Sequence, residues 1–551
     1  MKYILKVIIL SFFIVSSVIS VSFSSLEDEE LSNLSLYDLE ERLHITYEPM
    51  SLLESLLYES QSTFLGEPEN NCEKRDDYKI PQFFTFMPAF KGKVSKVGDS
   101  ITFGNFCFKK NTLTVTSIEN GKIELNLEAY EPKSFACNDV YLFHTSSIFH
   151  IKTTIVRGNH KVKITVTPDQ LNEISVGGLR LFSLCDGFLS TAKSLYKTIK
   201  LLLSDYPQSN KEFVSLFGKE DKSVEEQEQE HMDFLKVYAG FNITKRGKYE
   251  NIVLPLEDQI QSGDFLGLSQ VINGESCLIQ FITGGRISHS AMALKIDGKL
   301  HVVESENRGI LIRTYEDFIK DQVETYHSVA WFPLSKESRA KFNEEAAVKW
   351  IKEREGMPYG MKNFVMAAID TTKDNLPVFM DNEHLLLIIG IIEKIKAPLA
   401  MTFLGYTMNM RLGTTNLTSS ELAVEMSKRG LVFEDVMTIP ERDDWLYHDG
   451  ENWVCSALVV GLYKVAGLLD DMDIQAHEFT PKDIYMMNIF DKDSKNNRPD
   501  ICKEADPELE YCQIMGKFRI SAKGYNTINL YPHMNEKCPS LPPLYVRTEG
   551  C

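Results

Sequence analysis

Trp453-Val454-Cys455-Ser456-Ala457-Leu458-Val459-Val460-Gly461-Leu462-Tyr463 reads as a turn, a cysteine, and then a helix that is apolar almost all round. Such a helix belongs in a core. Asp449, Gly450 and Asn452 supply turn and N-cap chemistry just before it. With Asn452 as the expected N-cap, Cys455 falls in the first helical turn. Unpaired backbone N–H groups and the positive end of the helix dipole favour a thiolate there. A nucleophile held on a rigid buried element is one reading. A structural core cysteine is the other, because free Cys is among the most buried residue types.

A cysteine nucleophile needs a base. Of twelve histidines, His289 is best placed, in Gly284-Gly285-Arg286-Ile287-Ser288-His289-Ser290-Ala291-Met292-Ala293-Leu294. The segment alternates, with Ile287, His289, Ala291 and Ala293 on one strand face and Met292 and Leu294 on the other. Asp297-Gly298 is a two-residue hairpin signal, and the return strand is Lys299 to Ser305. If Ile296 pairs with Lys299, His289 lies opposite Glu306 and diagonal to Glu304. Either carboxylate could orient the imidazole and stabilise its protonated form. A histidine alone reads as a satisfied core residue. A Cys at a helix start with a His and a Glu on one hairpin face reads as catalysis.

The order His, Glu, Cys, with the Cys last and on a helix, resembles the circularly permuted papain-like fold. That group includes the permuted relatives of the NlpC-type cell-wall peptidases, the YiiX-like proteins among them, and the lecithin:retinol acyltransferase relatives. The matching pieces are Ser262-Gly263-Asp264-Phe265-Leu266-Gly267-Leu268, Ile287-Ser288-His289-Ser290-Ala291-Met292, Val302-Val303-Glu304-Ser305, Gly356-Met357-Pro358-Tyr359-Gly360 and Trp453-Val454-Cys455-Ser456. The resemblance covers about residues 246–495. It implies Cys455 as nucleophile, His289 as general base and Glu304 as the residue orienting the imidazole, with Glu306 the alternative carboxylate. The interval from His289 to Cys455 is long for a minimal member, so an insertion is expected within 361–440.

The rest of the 551 residues divides by composition. Residues 1–20, with Lys2 and Lys6 flanking an apolar run from Val7 to Ile19, read as a secretory signal. Residues 21–75 are acidic, a pro-region or poorly ordered segment. Residues 76–180 contain short alternating strands. One hairpin is Leu113 and Val115, Asn120-Gly121, then Ile123, Leu125 and Leu127. A second pair of strands is suggested by His150 to Val156, the turn at Arg157 to His160, and Val162 to Val166. They predict an antiparallel β-sandwich-like domain. Residues 181–245 form a helical linker and 496–551 a Cys-rich C-terminal extension. The expected whole is an α+β multidomain chain whose permuted papain-like domain combines an antiparallel sheet with a buried Cys helix.

Hydrophobic content of 43% supports a folded protein, and a formal charge of −19 argues against nucleic acid as a partner. Asn33, Asn242 and Asn416 open N-glycosylation sequons, consistent with secretion or a lysosome-type lumen. With ten cysteines in a secreted chain most should pair. If Cys455 stays a thiol a second must also be free, and Cys277 is the expected one. The spacings contain no zinc pattern, no Gly-rich phosphate loop and no Gly-x-Ser-x-Gly elbow, so neither cofactor nor metal is expected. The expected function is a cysteine hydrolase cleaving amide bonds, a peptidase or amidase. Lipid acyl hydrolysis or acyl transfer is the alternative, favoured slightly by the apolar run Leu385 to Ile392 and implying peripheral lipid contact. A non-catalytic binding glycoprotein is the third reading.

Overall fold

The computed structural model describes residues 46–47, 88–183, 222–364 and 401–530 apart from short interruptions, with isolated positions in 201–220 and 383–400. The expected signal at 1–20, nearly all of the acidic segment at 21–75, Asn33, most of Leu189–Leu203, and Cys72, Cys137, Cys185, Cys538 and Cys551 lie outside the described residues. The architecture is α+β, with several antiparallel sheets distributed over two compact units. One unit gathers Ser24–Lys200 with Met380–Met437, and the other Leu201–Phe379 with Thr438–Cys551.

The first unit carries a four-stranded sheet and a five-stranded one. Its pairs are antiparallel except that Thr46–Tyr47 runs parallel to Phe149–Thr154. Phe108–Glu119 and Lys122–Pro132 form the expected hairpin, turned at Asn120 and Gly121, both left-handed at φ 52° and 70°. Leu113, Val115, Ile123, Leu125 and Leu127 from this sheet share one core with Tyr141, Phe143, Leu179 and Leu181 from the other. The second expected pair of strands does not form a hairpin. Phe149–Thr154 pairs with Asp139–His144, whereas Gly158–Thr165 pairs with Lys122–Pro132 in the opposite sheet. Alternation identified both as strands, but it carries no information on which sheet receives them.

Residues from the interval expected to hold an insertion are grouped with this first unit. The helix Ser419–Lys428 is tied to the helix Pro168–Gly177 by a 2.6 Å bond from Asn172 Nδ2 to Ser427 Oγ. Leu386, Leu387 and Ile389 are buried, and Leu386 and Ile389 line an apolar cavity with Met408, Leu422 and Phe433. No helix among the described residues is long and apolar enough to cross a membrane.

The second unit is built on a six-stranded antiparallel sheet. Its strands are β1 (Phe265–Ser269), β2 (His289–Ile296), β3 (Lys299–Glu306), β4 (Gly309–Thr314), β5 (Ser328–Phe332) and β6 (Cys512–Met515), in the order β4-β3-β2-β1-β5-β6. The β2–β3 turn is the expected Asp297-Gly298, with φ 51° and 79°, and Ile296 pairs with Lys299 as the two-residue loop requires. Helices α1 (Gly274–Thr283), α2 (Tyr315–Glu324) and α3 (Glu344–Lys352) come from the connections. Helix α4 (Cys455–Val465) packs against β2 and β3 with every residue from Cys455 to Tyr463 buried.

The Cys-rich C-terminal run is no appendage in its described part. It supplies β6, and Cys502, Cys512, Ile514 and Met515 join the core beneath the sheet. Cys502 and Cys512 are disulfide-bonded, ten residues apart. Closing a loop of that size removes about 2–3 kcal/mol of chain entropy from the unfolded state. The Cys502→Ala/Cys512→Ala variant is therefore expected to lose at least about 2 kcal/mol in urea unfolding of this unit. An unshifted midpoint would show that the bridge contributes nothing.

Candidate active site

Cys455 is the first residue of α4, 5% exposed. The expected N-cap was Asn452, but the N-cap is Val454, in extended conformation and without a side-chain capping bond. The Asn452 side chain is turned away, its Nδ2 donating to the Asp443 carbonyl. The cysteine thus sits closer to the helix end than the sequence implied, and the Val454 side chain caps none of the N–H groups there.

The segment ahead of it is fixed by long-range bonds. The Trp453 carbonyl accepts from Ser305 Oγ at 2.8 Å and from the Gly360 N–H at 3.0 Å. Tyr359 and Trp453 form a parallel bridge. Trp453 also meets Trp350 edge-on at 5.0 Å and lies over His477 at 4.6 Å. Gly461, on the next turns of α4, leaves room for both tryptophans, since a Cβ there would stand 2.7 Å from the Trp453 ring.

His289 opens β2, its side chain one-fifth exposed. Nε2 donates to Glu304 Oε2 at 2.8 Å, and the Cys455 side chain lies near enough to the ring to favour its charged form. The three residues singled out in the sequence therefore meet. The diagonal partner on β3 reaches the ring, and the directly opposed one does not: Glu306 turns to Arg308, accepting from its Nε at 2.8 Å. Burial and the neighbouring Glu304 carboxylate raise the pKa of Glu306. For His289, burial favours the neutral ring, but the bonds to Cys455 and Glu304 outweigh it and hold the imidazole well above its ordinary range. Glu304, 1% exposed, would be pushed up by burial. The His289 and Arg313 cations bring it down instead to about 2.

Three neighbours were not identified from the sequence. The Tyr359 hydroxyl contacts both the Cys455 sulfur and its backbone N–H. Burial, then the charge of Cys455, push that phenol well above its usual range. Arg313 on β4 grips the other oxygen of Glu304 and, through Nη1, Asp321 Oδ2 at 2.5 Å. His327 lies just before β5, bonded to Thr325 Oγ1 at 2.6 Å, and burial and the positive His289 lower its pKa to about 3. Tyr359 was visible inside the Gly356–Gly360 stretch, and Arg313 could have been found by extending the β2–β3 register one strand further.

Cys277 and Cys455 are the free thiols among the described residues, and Cys107 is disulfide-bonded. Cys277 is fully buried in α1, where burial pushes its thiol up. Asn242 and Asn416 are both exposed. No group of three or more His, Cys, Asp or Glu that could hold a metal ion occurs among the described residues.

A sulfur in contact with an imidazole that is itself held by a buried carboxylate can store a thiolate–imidazolium pair. If it does, Glu304→Gln removes the anion that helps keep His289 charged. The imidazolium should then lose its proton at lower pH, and the alkaline limb of any pH–rate profile should move down by about one unit or more. An unmoved limb would mean that Glu304 does not set the charge of the ring.

No protein-family model matches this sequence, and no curated protein matches it either. Among solved structures it is similar to the crystal structure of the metalloprotein YiiX from Escherichia coli O157:H7. The identity is 14% and the TM-score 0.16, over 30% of this chain and 92% of that one.

Proposed function

We propose that the second unit is a permuted papain-like thiol hydrolase that cleaves amide bonds, working in the lumen of the secretory pathway or a lysosome-type compartment. The observation that carries the reading is the meeting of Cys455, His289 and Glu304, brought together from α4, β2 and β3, with His289 bonded to Glu304. In this reading the Cys455 sulfur attacks the carbonyl carbon. His289 delivers a proton to the leaving amine as the C–N bond breaks, then takes one from the water that hydrolyses the thioester. Glu304 holds the ring. The Cys455 N–H and the Tyr359 hydroxyl, both at the sulfur, are the groups from which a tetrahedral oxyanion would draw hydrogen bonds, each donor worth roughly 3 kcal/mol. The disulfide at Cys502–Cys512 and the bonded Cys107 support an oxidising compartment.

The lipid-acyl alternative drew its support from Leu385–Ile392. Leu386, Ile389 and Gly390 of that run line a cavity within the first unit. Incubation with peptidoglycan fragments, N-acyl dipeptide amides and phospholipid vesicles, side by side, tests the choice. Amide cleavage that vanishes in Cys455→Ala is the expected result. Fatty acid release without amide cleavage would replace it with the acyl-hydrolase reading. No turnover and no thiol reactivity would leave a non-catalytic glycoprotein.

A further inference from the structure

Glu304 is the most deeply buried acid of the site, and burial alone drives a carboxyl group to take up a proton in mildly acidic solution. Two cations oppose this, one on each oxygen. His289 Nε2 donates to Oε2, and the Arg313 guanidinium donates to Oε1. They are not equivalent. The imidazole must gain and lose charge during a catalytic cycle, whereas a guanidinium does not titrate in a protein. Arg313 is itself fixed: it is 15% exposed, its Nη1 is bonded to Asp321 Oδ2 on α2, and its guanidinium lies 5.7 Å from the Phe318 ring centre. Arg313 and Glu304 come from neighbouring strands, Arg313 pairing with Val302, so the fork is set by the β3–β4 register and not by a loop.

We infer that Arg313, anchored by Asp321, is a positioning residue that keeps Glu304 ionised and aimed at His289, so that the site retains its triad geometry in acid solution. The inference rests on the triad reading above. Of the other titratable groups nearby, the Asp321 anion is paired with Arg313. Glu306, itself prone to protonation, becomes neutral in acid and stops repelling Glu304, with Arg308 drawing Glu306 outward. His327, pulled down to about 3 by burial, stays neutral. The sign follows from the direction of the Glu304 shift. Its ionised form stabilises the folded site above the ordinary carboxylate range, and that contribution is lost as pH falls toward about 2. Without Arg313 the loss begins at higher pH.

The test uses the full-length chain and two readouts. The first is NMR titration of Glu304 with side-chain carboxyl-labelled glutamate, its signal assigned by its absence in Glu304→Gln. The second is the pH profile of p-nitrophenyl acetate hydrolysis. In Arg313→Gln the Glu304 midpoint should rise by at least one unit, and the acid limb of kcat should rise with it while KM stays nearly constant. Arg313→Lys, a point charge without the fork, should recover part of both shifts. Should Arg313→Gln leave the carboxyl titration and the acid limb where they are, with circular dichroism unchanged, the inference falls. If Arg313→Gln unfolds, the Arg313→Lys profile decides, because a structural role alone predicts lower activity with an unmoved acid limb. The NMR shift needs no turnover. A moved midpoint in a protein inactive towards every substrate would overturn the hydrolase reading and leave the role of Arg313 in ionising Glu304 standing.

Discussion

Cys455→Ala is expected to remove turnover altogether, a loss on the order of 10⁴-fold or more, as when the nucleophile of a triad is deleted and only binding and oxyanion contacts remain. The fold should survive. Ala is well tolerated in a helix, and the substitution deletes one sulfur at the end of α4, where the residue is 5% exposed. Melting within a few degrees of the parent, by circular dichroism, is the accompanying expectation. In the native parent iodoacetamide should alkylate Cys455 and leave Cys277 unlabelled, because Cys277 is fully buried and its thiol is pushed up by that burial. Retained turnover, or labelling mapped by mass spectrometry to Cys277, would remove Cys455 from the chemistry.

The second large effect is expected from Gly360→Ala, where no reacting group is altered. A Cβ at Gly360 would stand 2.6 Å from the Asn452 carbonyl oxygen and 2.7 Å from the carbonyl carbons of both Asn452 and Trp453. All three atoms are backbone, so no flexible side chain can yield. The chain just before Cys455 has to move, and the bond from the Gly360 N–H to the Trp453 carbonyl is strained or lost. Displacing a nucleophile by about 1 Å can cost 10²-fold, and that is the loss expected here. Overpacking of this kind also costs about 1–3 kcal/mol of stability. Kinetics and urea unfolding on the same preparation separate the two. Full activity would mean that the 359–360 bridge does not set the position of the sulfur.

The parts of the site that could be read in the sequence are those fixed by local rules. The Asp297-Gly298 turn dictates the β2–β3 register, the register brings His289 and Glu304 together, and the apolar run after Cys455 specifies a buried helix. What could not be read depends on distant pairing. Tyr359 reaches the sulfur only because its strand-like segment bridges Trp453, and nothing near residue 359 announces that partner. Arg313 looks like any exposed cation of an edge strand until Phe318 and Asp321 on α2 are seen to enclose it. The N-cap was misplaced by two residues because Asn452, the residue with the right chemistry, spends its amide on Asp443. The Gly158–Thr165 strand was read correctly as a strand and assigned the wrong neighbour, since a period-2 pattern names a face and not a sheet.

The chain leaves the first compact unit after Lys200, returns to it at Met380 and departs again after Met437. A fragment cut at a single point on each side of the second unit would therefore carry Met380–Met437 severed from Asn172, to which Ser427 is bonded. Recombinant expression of that unit calls for removing Met380–Met437 and rejoining the two flanking pieces. A library of random truncations should yield no soluble survivor ending between the two crossings.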